Sequence, residues 1–166
     1  MAIISNIIQL IRNEDASEET IAPILTRFPH FLEALADFLD YEHYLAETQS
    51  WEPAFSHWEN ASARAQEDMF RLQREILNEE PRLPVEKPLK LIVFGLSLAM
   101  RDETGAHRDR FRDLVRCRGN ELLIKEKRPG DRHVNDLLKR TLILFDQFLD
   151  LYSVDQTAPD TATASH

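Results

Sequence analysis

The chain has 166 residues, with 29 Asp and Glu against 20 Lys and Arg, and a formal net charge of −9 at pH 7. That length suits one well-buried core and is short for two domains, and the acid excess argues against a protein that coats nucleic acid. A single cysteine, Cys117, excludes an intramolecular disulfide and fits a reducing compartment.

Four glycines are few for a sheet with tight turns, while the abundance of Leu, Ala, Glu, Arg and Gln favours helix throughout. The expected fold class is therefore all-α, an up-and-down bundle of about four or five main helices in one domain over residues 1–153. Short amphipathic helices are expected near residues 2–12 and 18–27, the first with an Ile4, Ile7, Ile8, Ile11 stripe that closes the bundle or a dimer. From Phe28 the apolar positions Phe28, Phe31, Leu35, Phe38 and Leu45 recur at steps of three and four, with Glu42 the one polar interruption. The opposite face, His30, Glu33, Asp37, Asp40 and Glu47, reads as a solvated acidic stripe. Ser50 is the expected N-cap of the next helix, with Pro53 in its first turn and Phe55, Trp58, Ser62, Ala65, Met69, Leu72 and Ile76 along its seam. This helix is expected to pack antiparallel to the first.

Pro81, Pro84 and Pro88 then break the chain, so a linker is expected between them. Residues 89–100 are apolar nearly all round, which fits a buried helix or a short strand; helix is preferred because nothing else offers a partner strand. Residues 104–118 and 131–153 are expected as two further helices, the last carrying Val134, Leu137, Thr141, Leu144, Phe148 and Leu151. The polar residues 154–166 are expected to form a flexible, disordered tail. The start of the chain lacks the basic region of a secretory signal, and no apolar run approaches a membrane span, so a soluble cytoplasmic protein is expected, with no membrane partner.

The residues that suggest chemistry are Arg101-Asp102-Glu103-Thr104-Gly105-Ala106-His107. Arginine offers a permanently charged planar fork for phosphate oxygens, and histidine both takes and gives a proton near neutral pH. Spacing alone decides little: with 15 arginines and 6 histidines, about one or two accidental matches to an Arg and a His separated by four to six residues are expected. The chain has a second, Arg128 to His133, across the Pro129-Gly130 turn, where Asp131 looks like a helix N-cap. Along an unbroken helix Arg101 and His107 would stand roughly 120° apart, so they converge only if the helix breaks at Gly105. The expected break starts the next helix with Thr104 as N-cap and His107 in the first turn.

Basic residues cluster around the same motif. Arg108, Arg112 and Arg116 recur every four residues on one helical face, with Arg110 and Arg118 beside it, so a phosphate-contacting stripe of Arg108, Arg110, Arg112 and Arg116 is available. In the bland reading, Asp109 and Asp113 pair with these arginines on a solvated helix.

Arg101-Asp102 followed by Ala106-His107-Arg108-Asp109, after an apolar segment and before further helices, resembles the HEPN superfamily, most closely its branch in phage abortive-infection proteins. The likeness covers about residues 89–152. It implies a homodimer in which the Arg and His of two subunits face each other across a twofold axis. It further implies metal-independent RNA cleavage of a toxin or phage-defence type, with no cofactor. Arg101 would stabilise charge on the phosphoryl oxygens, His107 would act as general base or acid, and Asp102 would orient the site. The motif's interior, Glu103, Thr104 and Gly105, departs from the basic and apolar residues of that branch. An antitoxin or another protein partner is also conceivable in such a system.

The rival reading is a non-enzymatic helical adaptor, immunity or assembly protein that binds a partner through its bundle surface. A carboxylate metal site is disfavoured, because Asp40, His43, His57 and Glu59 supply ligand types without a second Glu-x-x-His; metal ligands are expected to be none. Cys117 lacks a dedicated base for nucleophilic catalysis. Trp51, Trp58, Tyr41 and Tyr44 read as packing in preference to a platform for bases.

Overall fold

The computed structural model describes residues 22–101 and 105–154. They form five α-helices: α1 Pro23–Glu47, α2 Pro53–Asn78, α3 Glu86–Arg101, α4 Ala106–Arg118 and α5 Pro129–Val154, with a 3-10 turn at Gly119–Leu122. No strand occurs among the described residues, so the all-α expectation holds and residues 89–100 are helical. The expected helix near residues 2–12 and the expected tail after Val154 lie outside the described residues.

Several boundaries differ from the sequence reading, each for a local reason. The chain does not divide near Phe28: α1 runs from Pro23 straight through Pro29. A proline inside a helix removes one backbone donor and crowds the preceding turn, but Phe28, Phe31 and Leu32 are fully buried on both sides of it and hold the segment in place. The residue flanking α2 is Glu52, not Ser50, with Pro53 as first helical residue. The proline segment is only partly a linker, because α3 begins at Glu86 and takes Pro88 into its first turn. Asp131 sits inside the first turn of α5, not before it, and its carboxylate accepts from the backbone N–H of Lys127 at 2.9 Å and Arg128 at 3.0 Å. This is the returning half of a capping box.

α1 and α2 form the most extensively paired hairpin. The polar interruptions that each seam shows in sequence meet one another: the Ser62 hydroxyl donates to the Glu42 carboxylate. α3 closes over the rest of the core through Leu89, Ile92, Val93 and Leu96, while phenylalanines join α1, α4 and α5. Phe31 meets Phe145 edge-on at 6.3 Å, Phe111 meets Phe145 at 5.8 Å, and Phe38 meets Phe148 at 6.1 Å. Each buried phenylalanine contributes on the order of 1.5–3 kcal/mol, so this ladder is the main tie between α1, α4 and α5. Asn135, 3% exposed, pins the chain between the 3-10 turn and α5: its side chain accepts from Ile124 N–H at 2.9 Å and donates to Ile124 O at 3.0 Å.

Among the described residues the buried acidic side chain is Glu86, with no exposed surface. One carboxylate oxygen accepts from the N–H groups of Ile24 at 2.9 Å and Leu25 at 3.0 Å, in the first turn of α1. The other accepts from Arg82 N–H at 2.8 Å and Leu83 N–H at 3.1 Å. Donors at a helix start have no intrahelical partner, and Ala22 before α1 provides no side-chain cap, so Glu86 caps α1 from a distance of 62 residues. Glu86→Ala leaves buried donors unsatisfied and is expected to lower the unfolding free energy by about 2–5 kcal/mol. Urea denaturation with Glu33→Ala, at an exposed position, as the near-neutral control checks this.

Candidate functional site

Arg101 is the last residue of α3 and is exposed, its charge beside the negative end of the α3 dipole. α4 starts at Ala106, with Gly105 as flanking residue at φ +81°. Gly105, not Thr104, therefore occupies the position before α4; its carbonyl accepts from Asp109 N–H at 2.9 Å. His107 is the second residue of α4 and is exposed. Arg101 and His107 thus stand at the same end of the α3–α4 pair, on either side of a left-handed break. Asp102 and Thr104 lie outside the described residues.

The seating of α4 on α3 is set one turn after His107. A Cβ at Gly95 would come within 2.5 Å of Phe111 Cε2, so the missing side chain lets the Phe111 ring lie on α3. Phe111 is 6% exposed, and its packing fixes the position of the helix that presents His107.

The basic face of α4 is less open than its spacing suggests. Arg112 donates to Asp109 at 3.2 Å and to the carbonyl of Leu149, on α5, at 3.1 Å. Arg116 bonds Asp146 and holds Asp150 at 2.7 and 2.9 Å. Asp109 is thus a partner as the bland reading has it, but the carboxylates that take Arg116 come from α5, about thirty residues downstream, where no helical spacing could indicate them. Arg118 pairs with Glu121 at 2.6 Å, and this hydrogen bond holds the Glu121 carboxyl below its ordinary pKa. Arg108 is half-buried, while Arg110 is exposed. Of the second motif, Arg128 is exposed and His133 half-buried at the start of α5.

Arg101 also borders two clefts. One, of about 800 Å³ between α2 and α3, is lined by Phe70, Gln73, Arg74, Ser97 and Met100 among others. The second, of about 540 Å³, lies along α3 beside the end of α2, lined by Leu77, Pro81, Leu91, Phe94 and Leu98 among others. Leu91, Phe94 and Leu98 are 59%, 49% and 43% exposed, and with Arg101 they follow one stripe of the helix. His107 lines neither cleft. Sequence reasoning missed the first cleft, since Gln73 and Arg74 belong to a helix with no motif; it read the apolar α3 as buried all round.

The remaining candidates are occupied otherwise. Among the described residues no group of three or more His, Cys, Asp or Glu is placed to hold a metal. His43 pairs with Glu47 at 3.2 Å, and His57 meets Trp58 edge-on at 4.9 Å. Tyr41 and Tyr44 stack on Trp58 at 5.9 and 4.9 Å, whereas Trp51 is 76% exposed. Cys117 is exposed. No helix of the described residues is long and apolar enough to cross a membrane. Compared with known proteins, the chain matches no family model, no curated sequence and no solved structure.

The two glycines should respond differently to alanine. Gly95→Ala forces the Phe111 ring aside and is expected to destabilise by about 1–3 kcal/mol. Gly105→Ala meets open space and costs only the left-handed conformation, about 1–2 kcal/mol. Urea denaturation measures both, and hydrogen exchange in α4 should rise selectively for Gly95→Ala.

Proposed function

We propose that this protein is a HEPN-like ribonuclease that cleaves RNA without a metal ion and acts as a homodimer. The observation that carries the reading is the break at Gly105, which ends α3 on an exposed Arg101 and starts α4 with an exposed His107. An arginine and a histidine at abutting helix ends provide a phosphate-binding fork and a proton-transfer group. His107 takes the proton of a ribose 2′-hydroxyl as its oxygen attacks phosphorus. The P–O5′ bond breaks, the leaving oxygen receives a proton from the partner's His107, and a 2′,3′-cyclic phosphate and a 5′-hydroxyl result. The guanidinium of Arg101 stabilises charge gathering on the non-bridging oxygens.

A second copy of the chain fits the exposed stripe Leu91, Phe94 and Leu98, because that stripe runs into Arg101 and a single chain offers only one histidine at the break. The direction of the twofold axis matters. An axis across α3 at Phe94 would hold the two Arg101 Cα atoms on the order of 20 Å apart, whereas an axis along the stripe brings both to one end. This reading requires the second arrangement, in which an RNA phosphate offsets the repulsion of two guanidinium groups.

The same stripe supports a second reading, a protein-docking module, since exposed apolar patches on one helix face mark interaction sites. Under that reading the partner is a different protein and no RNA is cut.

His107→Ala is expected to lower kcat for RNA cleavage about 10²–10⁴-fold, and Arg101→Ala about 10²–10³-fold, with cleavage by the unaltered protein surviving a chelator. Phe94→Glu should convert the dimer to a monomer in sedimentation and abolish cleavage. Full cleavage by His107→Ala, or a monomer inert on every RNA tried, would sink the ribonuclease and leave the docking module.

A further inference from the structure

The cleft between α2 and α3 carries more than a border for Arg101. Its lining holds Gln73 and Ser97, each 6% exposed. Among the described residues the Gln73 amide finds only the Met100 sulfur, at 3.9 Å, and a thioether is a weak acceptor. A carboxamide held this deep with so poor a partner is placed to bond a ligand, because buried polar groups otherwise find strong partners.

The charged groups around it divide into a used set and an open set. Arg71 is fixed between Asp68 at 2.9 Å and Glu75 at 3.0 Å, so it shapes the wall. Arg74 and Arg101 are exposed and have no ion partner among the described residues. With Asp68 and Glu75 taken up by Arg71, Arg74 and Arg101 face one further carboxylate of the lining, Glu67, in a chain of net charge −9. This local excess favours an anion, and the guanidinium forks of Arg74 and Arg101 suit phosphate oxygens. The floor is apolar and partly aromatic, from half-buried Phe70 and Met100. A cleft of about 800 Å³ is of the size that takes small organic ligands.

We infer that this cleft binds a nucleoside phosphate, with its base against Phe70, its base edge on Gln73 and its phosphate between Arg74 and Arg101. Aromatic rings stack on any base, and a carboxamide offers both a donor and an acceptor to a base edge. The nucleotide is either free or part of a strand. The strand source rests on the RNA-cleaving reading and makes the cleft the subsite for a nucleotide beside the scissile linkage.

Titration calorimetry on the full chain tests this, with 5′-GMP, 5′-UMP, inorganic phosphate and a short 2′-O-methyl RNA that cannot be cleaved. Saturable binding of a mononucleotide or of the oligonucleotide is expected, weakened about tenfold or more by Arg74→Glu and by Phe70→Ala. Lys139→Glu, on α5, should leave it unchanged. Arg74 makes no ion pair among the described residues, so Arg74→Glu should keep the wild-type melting curve. Much tighter binding of the oligonucleotide identifies a strand, and binding of mononucleotides alone a free ligand. No saturable binding, unchanged affinity in folded Arg74→Glu, or phosphate binding as well as the nucleotides would overturn the inference. The two proposals fail separately. Arg74-dependent binding without any RNA cleavage leaves the cleft and removes the ribonuclease, while cleavage with an unchanged KM in Arg74→Glu does the reverse.

Discussion

The carboxylate of Glu86 receives backbone N–H groups from two segments far apart in the chain, Ile24 and Leu25 on α1 and Arg82 and Leu83 before α3. It is fully buried, and a buried carboxylate is tolerable only when its lone pairs are filled in this way. The interaction sets the starts of α1 and α3 side by side. Because α3 is 16 residues long, its other end lies about 24 Å away, and that end is Arg101. The position of the arginine is therefore decided at the opposite pole of the helix, by a residue with no part in chemistry.

α4 is held by two kinds of contact. Toward α3 the absence of a Cβ at Gly95 admits the ring of Phe111, a close packing that admits little slack. Toward α5, Arg112 and Arg116 reach the Leu149 carbonyl and the carboxylates of Asp146 and Asp150. Exposed ion pairs of this kind are individually weak, but together they orient the helix and occupy arginines that spacing alone would give to a phosphate. Two of the cations that border the clefts, Arg74 and Arg101, face no such demand among the described residues.

Arg101 is where the features of interest meet. It ends the exposed stripe of Leu91, Phe94 and Leu98, lines the cleft that contains Gln73 and Ser97, and stands six residues before His107. Under the proposed reading, these are the subunit interface, a nucleotide subsite and the proton-transfer group.

Helix content, the seams of α1 and α2, part of that of α5 and a break at Gly105 were legible in the sequence, whereas Leu138, Phe145 and Leu149 on α5 were not picked out although they are buried. The legible features depend on local quantities: apolar periodicity, proline and glycine placement, and the steric freedom of a residue without a side chain. Even the cluster of arginines from Arg108 to Arg118 could be read along the chain. What tertiary structure alone decided was pairing. Glu42 with Ser62, Glu86 with the start of α1, and Arg116 with Asp146 and Asp150 join residues 20 to 62 positions apart, and no helical period relates them. The same holds for burial: residues 89–100 read as apolar nearly all round, and only the packing of five helices left Leu91, Phe94 and Leu98 outside. Periodicity tells which residues share a helix face, whereas the partner of that face depends on how the chain folds back on itself.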